Sequence, residues 1–169
     1  MIETERLILK PLSYHQLLKY IECNNSLEEE LKLNKTSRTI SLELKGAFEQ
    51  TILPSVADKS KNYLYSTLWI VISKTENSII GSFCIYGEPN ENREIEIGYG
   101  TDEEFQNRGY MTETVGGIIE WSKQQSILKS IIASTDKVNI ASLRVLEKNG
   151  FKKIGETDTL FNWKFEIKE

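Results

Sequence analysis

An alternating apolar and polar segment runs from Glu94 to Thr101, and a short loop connects it to a periodic apolar stripe that begins at Gly109. Alternation with period two is typical of a strand, and the stripe from Gly109 to Lys123 is typical of an amphipathic helix. The order therefore predicts a strand, a loop and a helix in direct succession. A helix start offers unpaired backbone N–H groups and the positive end of the helix dipole, so the loop before it is predicted to hold an anion such as a phosphate.

The same kinds of pattern predict alternating strands and helices along the rest of the chain. Strands are predicted at residues 6–10, 66–73, 79–87, 94–101, 130–135, 151–155 and 160–167. Besides the helix after Gly109, helices are predicted to start at the N-caps Ser13, Ser41 and Asn139 and to end near Glu22, before Pro54 and at Gly150. This mixture predicts an α/β (α+β) sheet that is covered by helices on both faces.

Two common phosphate-binding motifs do not fit the loop before Gly109. A P-loop ends in Gly-Lys-Ser or Gly-Lys-Thr, and neither tripeptide occurs in the sequence. The dinucleotide fingerprint needs a third glycine at the position of Glu103, after Gly98 and Gly100. The remaining pattern, Gln106-x-x-Gly109 after an Ile-Gly-Tyr strand, resembles the pyrophosphate loop of the GNAT superfamily, the acetyl-CoA-dependent N-acetyltransferases.

Two further segments carry the same resemblance, which spans nearly the whole chain. Residues 4–12 (TERLILKPL) resemble the first strand of the branch that includes the ribosomal-protein N-terminal acetyltransferases RimJ and RimL, and residues 139–151 resemble its second CoA-contacting helix. Met111 departs from the family pattern, which has Gly or Ala there. The resemblance implies one N-acetyltransferase domain over residues 1–169, with a mixed, mostly antiparallel sheet of about seven strands. Its central strands are expected to splay apart and bind CoA.

Length and composition are compatible with this expectation. A chain of 169 residues fits one domain, and it contains no apolar run near the ~20 residues of a membrane span. The N-terminus reads as a strand rather than a signal peptide, so a cytoplasmic protein that does not bind membranes is predicted. Cys23 and Cys84 have no metal-ligand spacing and are expected to be reduced and buried. The net charge of −4 argues against nucleic acid as a partner.

The resemblance assigns the binding of acetyl-CoA, as a cosubstrate and without a metal, mainly to the backbone. The expected CoA-binding residues are Tyr99, Gly100 and Thr101 for the pantetheine arm, Gln106, Asn107, Arg108, Gly109, Tyr110 and Met111 for the diphosphate, and Asn139 and Ser142 on the later helix. Two glycines on one face of the 94–101 strand, Gly98 and Gly100, also suggest that something approaches the backbone there. The alternative for the loop is that Gly109 only turns the chain and Arg108 is solvated.

Two residues are candidates for the chemistry. Glu96 lies on the glycine-bearing face of its strand and is the candidate general base, acting through water. The alternative is an ordinary strand glutamate paired with a lysine on a neighbouring strand. Leu146 occupies the position where many superfamily members have a tyrosine acid, so Ser142 is the candidate acid. The alternative is that Ser142 only satisfies the helix end.

The acceptor is less constrained by the sequence than the acyl donor. The resemblance gives the acceptor side to residues 24–40 and 156–161, which carry little pattern. The run Glu28-Glu29-Glu30 either attracts a cationic amine or, more commonly for such runs, is a solvated face. Three functions remain open: an N-acetyltransferase for a primary amine, a catalytically weak acyl-CoA-binding module, and an unrelated nucleotide-binding domain. A monomer and a homodimer both fit the final strands.

Overall fold

The computed structural model describes residues 1–167 and contains strands and helices in mixed order. The strands are β1 (Ile2–Glu3), β2 (Leu7–Pro11), β3 (Leu68–Ser73), β4 (Ser78–Ile85), β5 (Glu94–Thr101), β6 (Ser130–Asp136), β7 (Lys152–Glu156) and β8 (Leu160–Glu166). The α-helices are α1 (Tyr14–Glu22), α2 (Ser26–Leu31), α3 (Leu42–Ala47), α4 (Leu53–Ala57), α5 (Tyr110–Lys123) and α6 (Ile140–Lys148). No helix within the described residues is both long and apolar enough to cross a bilayer.

The strands form one sheet in the order β1-β2-β3-β4-β5-β6-β8-β7, and only β5 and β6 pair in parallel. The predicted mixed, mostly antiparallel sheet with helices on both faces is therefore confirmed. The sheet has eight strands rather than about seven because β1, which is two residues long, pairs with β2 at its edge.

The central strands separate halfway along β5. Its first residues, Glu94 to Glu96, pair with Ser130 to Ile132 of β6. From Ile97 to Thr101, β5 pairs with β4, whereas β6 continues only with β8. The edge of β5 that faces β6 therefore loses its neighbour after Glu96. The result is a cleft between two strands of a continuous sheet, as the resemblance implied.

Each face of the sheet has its own apolar core. On one face, Ile95 and Ile97 of β5 pack with Val115 and Ile118 of α5. On the other face, Ile70 of β3 packs with the helices α1 to α4. The predicted buried stripe of α5 is confirmed, since its apolar residues Met111, Val115, Ile118 and Ile119 are all buried.

One glycine of the Gly116-Gly117 pair allows α5 to approach the sheet closely. A Cβ on Gly117 would lie 2.9 Å from Thr4 Cγ2 and 3.1 Å from Leu9 Cδ1, tighter than side chains tolerate. Gly116 instead faces Asn149, with 3.4 Å between its hypothetical Cβ and Oδ1. The expected helix–sheet contact is therefore confirmed for Gly117, and Gly116 lies beside the end of α6.

Three local predictions need correction. The helix that begins after Ser41 does not end before Pro54: α3 runs through a π-helical turn (Phe48–Ile52) into α4, where Pro54 occupies the first turn. Proline has no N–H to donate, and Pro54 lies directly after the π-helical turn, where the helical hydrogen-bond pattern changes. The segment after α1 contains the unpredicted helix α2. Cys23 and Cys84 are free thiols as expected, but both are half-buried rather than buried.

Candidate functional site

The loop between β5 and α5 presents a row of unpaired backbone donors. After a 3-10 turn (Glu103–Phe105), Asn107 and Gly109 adopt left-handed conformations with φ of 63° and 75°. Within the described residues, no protein acceptor pairs with the main-chain N–H groups of residues 107–112. These groups lie at the positive end of α5, which is 14 residues long. The loop is therefore built to bind an anion through its backbone.

Four of the predicted loop residues have side chains that are either buried or bonded to other parts of the protein. Tyr110 and Met111 are buried, which explains how Met111 replaces a small residue without covering the loop. Arg108 Nη1 donates to Glu76 Oε1 at 3.1 Å, and Nη2 donates to the Glu104 carbonyl at 3.2 Å. Gln106 Nε2 donates to the Thr101 carbonyl at 3.3 Å. The Arg108 and Gln106 side chains thus brace the loop in this structure.

A second brace comes from the opposite end of the chain and was missed by the sequence analysis. The Glu113 carboxylate accepts hydrogen bonds from Thr4 Oγ1 at 2.6 Å, from the Arg6 backbone N–H at 2.7 Å and from Arg6 Nε at 2.6 Å. Arg6 Nη1 also donates to the Arg108 carbonyl at 3.0 Å. Partial burial alone would raise the pKa of Glu113, but the hydrogen bonds from Thr4 and Arg6 outweigh it and lower the pKa. We call these contacts of Thr4, Arg6 and Glu113 the clamp.

Tyr99 of β5 and Ser142 of α6 are in direct contact. Ser142 Oγ donates to Tyr99 Oη at 3.0 Å, and Asn139 Oδ1 accepts from the Ser142 N–H at 3.2 Å. Burial raises the pKa of Tyr99 to about 12, and the contact with Ser142 reduces this rise, so both hydroxyls are protonated at neutral pH. Leu146 is fully buried in the core and contributes no acid. The structure therefore groups Tyr99, Asn139 and Ser142, and it adds the Tyr99 hydroxyl as a polar group that the sequence analysis had assigned only a backbone role.

The two glycines of β5 have different surroundings. A Cβ on Gly98 would lie 2.0 Å from Tyr86 Oη and 2.7 Å from its Cζ, because the Tyr86 ring covers this glycine. A Cβ on Gly100 would meet no atom within 4 Å. The expected close approach at Gly98 is thus made by a protein side chain, whereas the surface at Gly100 is open.

Glu96 has few protein partners at the point where the cleft opens. The hydrogen bond to its carboxylate comes from Ser134 Oγ, which donates to Glu96 Oε1 at 3.5 Å. The strand–lysine pair considered for Glu96 occurs at its neighbour instead, where Lys164 Nζ lies 2.6 Å from Glu94 Oε1. Among the ion pairs of residues 1–167, none involves Glu96. The geometry leaves this carboxylate available for a further partner.

The acidic run of α2 is the solvated face favoured from the sequence only in part, since Glu29 and Glu30 are exposed and Glu28 is buried. The Glu28 side chain is 1% exposed and forms an ion pair with Arg38, which is 3% exposed and lies over the Tyr20 ring. Glu29 and Glu30 are paired with Lys35 and Lys19. The run therefore serves structure, and its charges are already compensated.

Comparisons with sequences of known proteins agree with the geometry of the cleft. The family model for an acetyltransferase (GNAT) domain matches residues 6–152. The chain is 34% identical over 83 residues to the uncharacterized N-acetyltransferase YjdG of Bacillus subtilis (strain 168), a match that covers 49% of each chain. The chain thus matches about half the length of its curated relatives.

Two solved structures show the same fold. RimL, a ribosomal alpha-N-protein acetyltransferase in complex with coenzyme A, has a TM-score of 0.68 at 15% identity, covering 97% of this chain and 96% of its own. Spermidine N-acetyltransferase from Vibrio cholerae, in complex with CoA and spermine, has a TM-score of 0.66 at 16% identity, covering 97% of each. At these identities the likeness establishes a shared architecture.

Proposed function

Because the chain belongs to the GNAT superfamily of acetyl-CoA-dependent N-acetyltransferases, we propose that it transfers an acetyl group from acetyl-CoA to a primary amine. The observation that carries this proposal is the pairing of β5, which loses its neighbour after Glu96 directly before a loop of unpaired N–H donors. Acetyl-CoA matches both features, since its extended pantetheine arm would fit the open edge of β5 and its diphosphate would fit the N–H donors.

The residues of the cleft fit acetyl-CoA. The N–H groups of residues 107–112 would hold the diphosphate, and the backbone of Tyr99, Gly100 and Thr101 would pair with the pantetheine amides. The surface at Gly100 has no side chain to obstruct an acyl group. A backbone N–H of this strand would stabilise charge on the thioester oxygen. Acetyl-CoA supplies the acyl group, and the chain's own residues orient it.

Glu96 and the Tyr99–Ser142 pair would carry the proton transfers. Glu96 would accept a proton from the amine through water, since its carboxylate lacks a cationic partner among the described residues. Ser142, held by Asn139 and hydrogen-bonded to Tyr99, would donate toward the departing thiolate. A strong acid is not required there because a thiol with a reference pKa of about 8.5 is a tolerable leaving group.

Direct attack by the amine is favoured over an acyl-enzyme. The thiol of Cys84 lies on the same face of the sheet as Glu96 and is the nearest cysteine to consider as a nucleophile. Burial raises the pKa of Cys84 to about 11, so the thiol is protonated at neutral pH. Since thiolate is the reactive form, Cys84 is a poor nucleophile.

The test is amine-dependent release of thiol from acetyl-CoA, measured with polyamines, aminoglycosides, amino acids, arylalkylamines and short peptides. We expect at least one class to accelerate release above the amine-free rate. Protein that binds CoA but releases thiol at the same rate with every amine would contradict the proposal. That result would support the second candidate, a CoA-binding module, which the buried Leu146 at the position of the usual tyrosine acid favours.

A further inference from the structure

A cavity of about 530 Å³ lies between the α3–α4 segment and the end of β4, outside the CoA cleft. It is on the face of the sheet that carries Glu96. Leu44, Ala47 and Ile52 contribute apolar side chains to its wall, and the lining also contains the hydroxyl-bearing residues Ser41, Thr51, Ser55 and Ser66. Its volume is in the range of sites that hold a small molecule.

Tyr86 connects this cavity to the proposed reaction centre. The residue lines the cavity, and its ring lies over Gly98 of β5. Its backbone N–H donates to the Glu96 carbonyl at 2.9 Å. Cys84 also lines the cavity, two residues before Tyr86, and pairs directly with Gly98. One wall of the cavity is therefore continuous with the strand that carries Glu96 and the open surface at Gly100.

The cavity combines apolar walls with charge of one sign. Glu43 is the charged residue of its lining, which contains no lysine or arginine. Burial raises the pKa of the Tyr86 hydroxyl, the neighbouring Cys84 thiol raises it further, and Glu96 and Glu43 add smaller effects of the same sign. A single cationic group near Tyr86 would be favoured, whereas a second one would find only hydroxyl groups and no second carboxylate in the lining to compensate its lost hydration.

We propose that this cavity binds the acceptor and that the acceptor is a small monoamine whose body is uncharged and mainly apolar, such as a phenylalkylamine. The proposal rests on the proposed function. It assigns the amine to the Tyr86 end, between Glu43 and Glu96, and the body to the wall formed by Leu44, Ala47 and Ile52. A polyamine fits this lining poorly because its second ammonium group would find no second carboxylate there.

Filling the cavity tests the proposal. In Ala47→Trp protein, the KM for phenethylamine should rise by at least about tenfold, since contacts of one small group in an apolar pocket already change specificity to this extent. The KM for acetyl-CoA should stay unchanged. Ala57→Trp is the matched control, because Ala57 is an exposed alanine at the end of α4 that does not line the cavity.

A milder substitution tests the cavity even if the Ala47→Trp protein does not fold. Glu43→Gln removes the charge from an exposed position and should weaken phenethylamine binding, whereas Glu49→Gln, exposed on the following turn and outside the lining, should not. Transferase activity that prefers spermidine or peptides, and that Ala47→Trp and Glu43→Gln leave unchanged, would overturn the proposal.

A direct binding measurement tests the acceptor cavity independently of acetyl transfer. Phenethylamine is titrated into the CoA-bound protein by NMR, with no turnover required. Binding that Glu43→Gln weakens would support the cavity even if no amine released thiol. Absence of phenethylamine binding to protein that binds CoA would overturn the acceptor assignment, and it would leave acetyl transfer to other amines standing.

Discussion

Two arginine–glutamate pairs illustrate how differently the two faces of the sheet are built. Arg6 and Glu113 belong to the clamp on the α5 face, where their side chains are 41% and 18% exposed and Arg6 also bonds the Arg108 carbonyl of the loop before α5. Arg38 and Glu28 lie on the opposite face, are 3% and 1% exposed, and retain atoms without a partner among the described residues, Arg38 Nε and Glu28 Oε2. The same chemistry thus braces a surface loop in one place and fixes a buried segment in the other. Mutations should separate these roles.

The largest effect is expected at the buried pair. Glu28→Gln leaves the Arg38 charge buried without its counterion, which typically costs about 3–5 kcal/mol of folding free energy. Denaturant unfolding should show this loss, while CoA affinity of the folded protein stays unchanged. Glu29→Gln is the matched control, since Glu29 is 63% exposed and pairs only with Lys35 on the surface. Equal stability of the two variants would show that the buried pair contributes no more to folding than the surface pair of Glu29 and Lys35.

The next effect is expected at Glu96, on the face opposite the clamp. Glu96→Gln should lower turnover by about 10²-fold, the usual contribution of a positioned general base, with acetyl-CoA affinity retained. Glu94→Gln provides the comparison because Glu94 is already paired with Lys164. Turnover at saturating amine and CoA binding are measured on both variants. Unchanged turnover in Glu96→Gln would remove this residue from the mechanism.

The clamp should affect CoA binding more than stability. Arg6→Ala removes charge-assisted hydrogen bonds to Glu113 and the bond to the Arg108 carbonyl, and partial exposure moderates their strength. We expect CoA to bind about fivefold to tenfold more weakly, because the loop before α5 loses a support. Lys19→Ala is the control, since Lys19 pairs with Glu30 on the other face. Similar CoA affinity in both variants would show that the loop is held without the clamp.

Local features of this molecule could be predicted from the sequence, and long-range ones could not. The β5–loop–α5 unit was predicted because its strand alternation, its turn at Gly109 and its helical stripe are adjacent in the chain. The clamp joins residues 107 positions apart, so the sequence shows Arg6 and Glu113 but not their contact. The burial of Glu28 was missed because a run of acidic residues usually faces water, and Tyr86 over Gly98 requires knowledge of the strand pairing.

The smallest expected effect is a pH dependence that belongs to the clamp alone. Hydrogen bonds from Thr4 and Arg6 lower the pKa of Glu113 below its ordinary value of 4.5 despite the opposing effect of burial. A carboxylate whose pKa is lowered by folding stabilises the protein above its unfolded pKa, and this stabilisation is lost as the pH falls through the folded pKa. The free energy of unfolding should therefore decrease as the pH falls below about 4.5. Glu113→Gln removes the titrating group, so its stability should fall less steeply with acid than that of the unaltered protein. Unfolding measured at several pH values decides this, and parallel acid profiles would mean that other carboxylates, and not the clamp, set the acid stability.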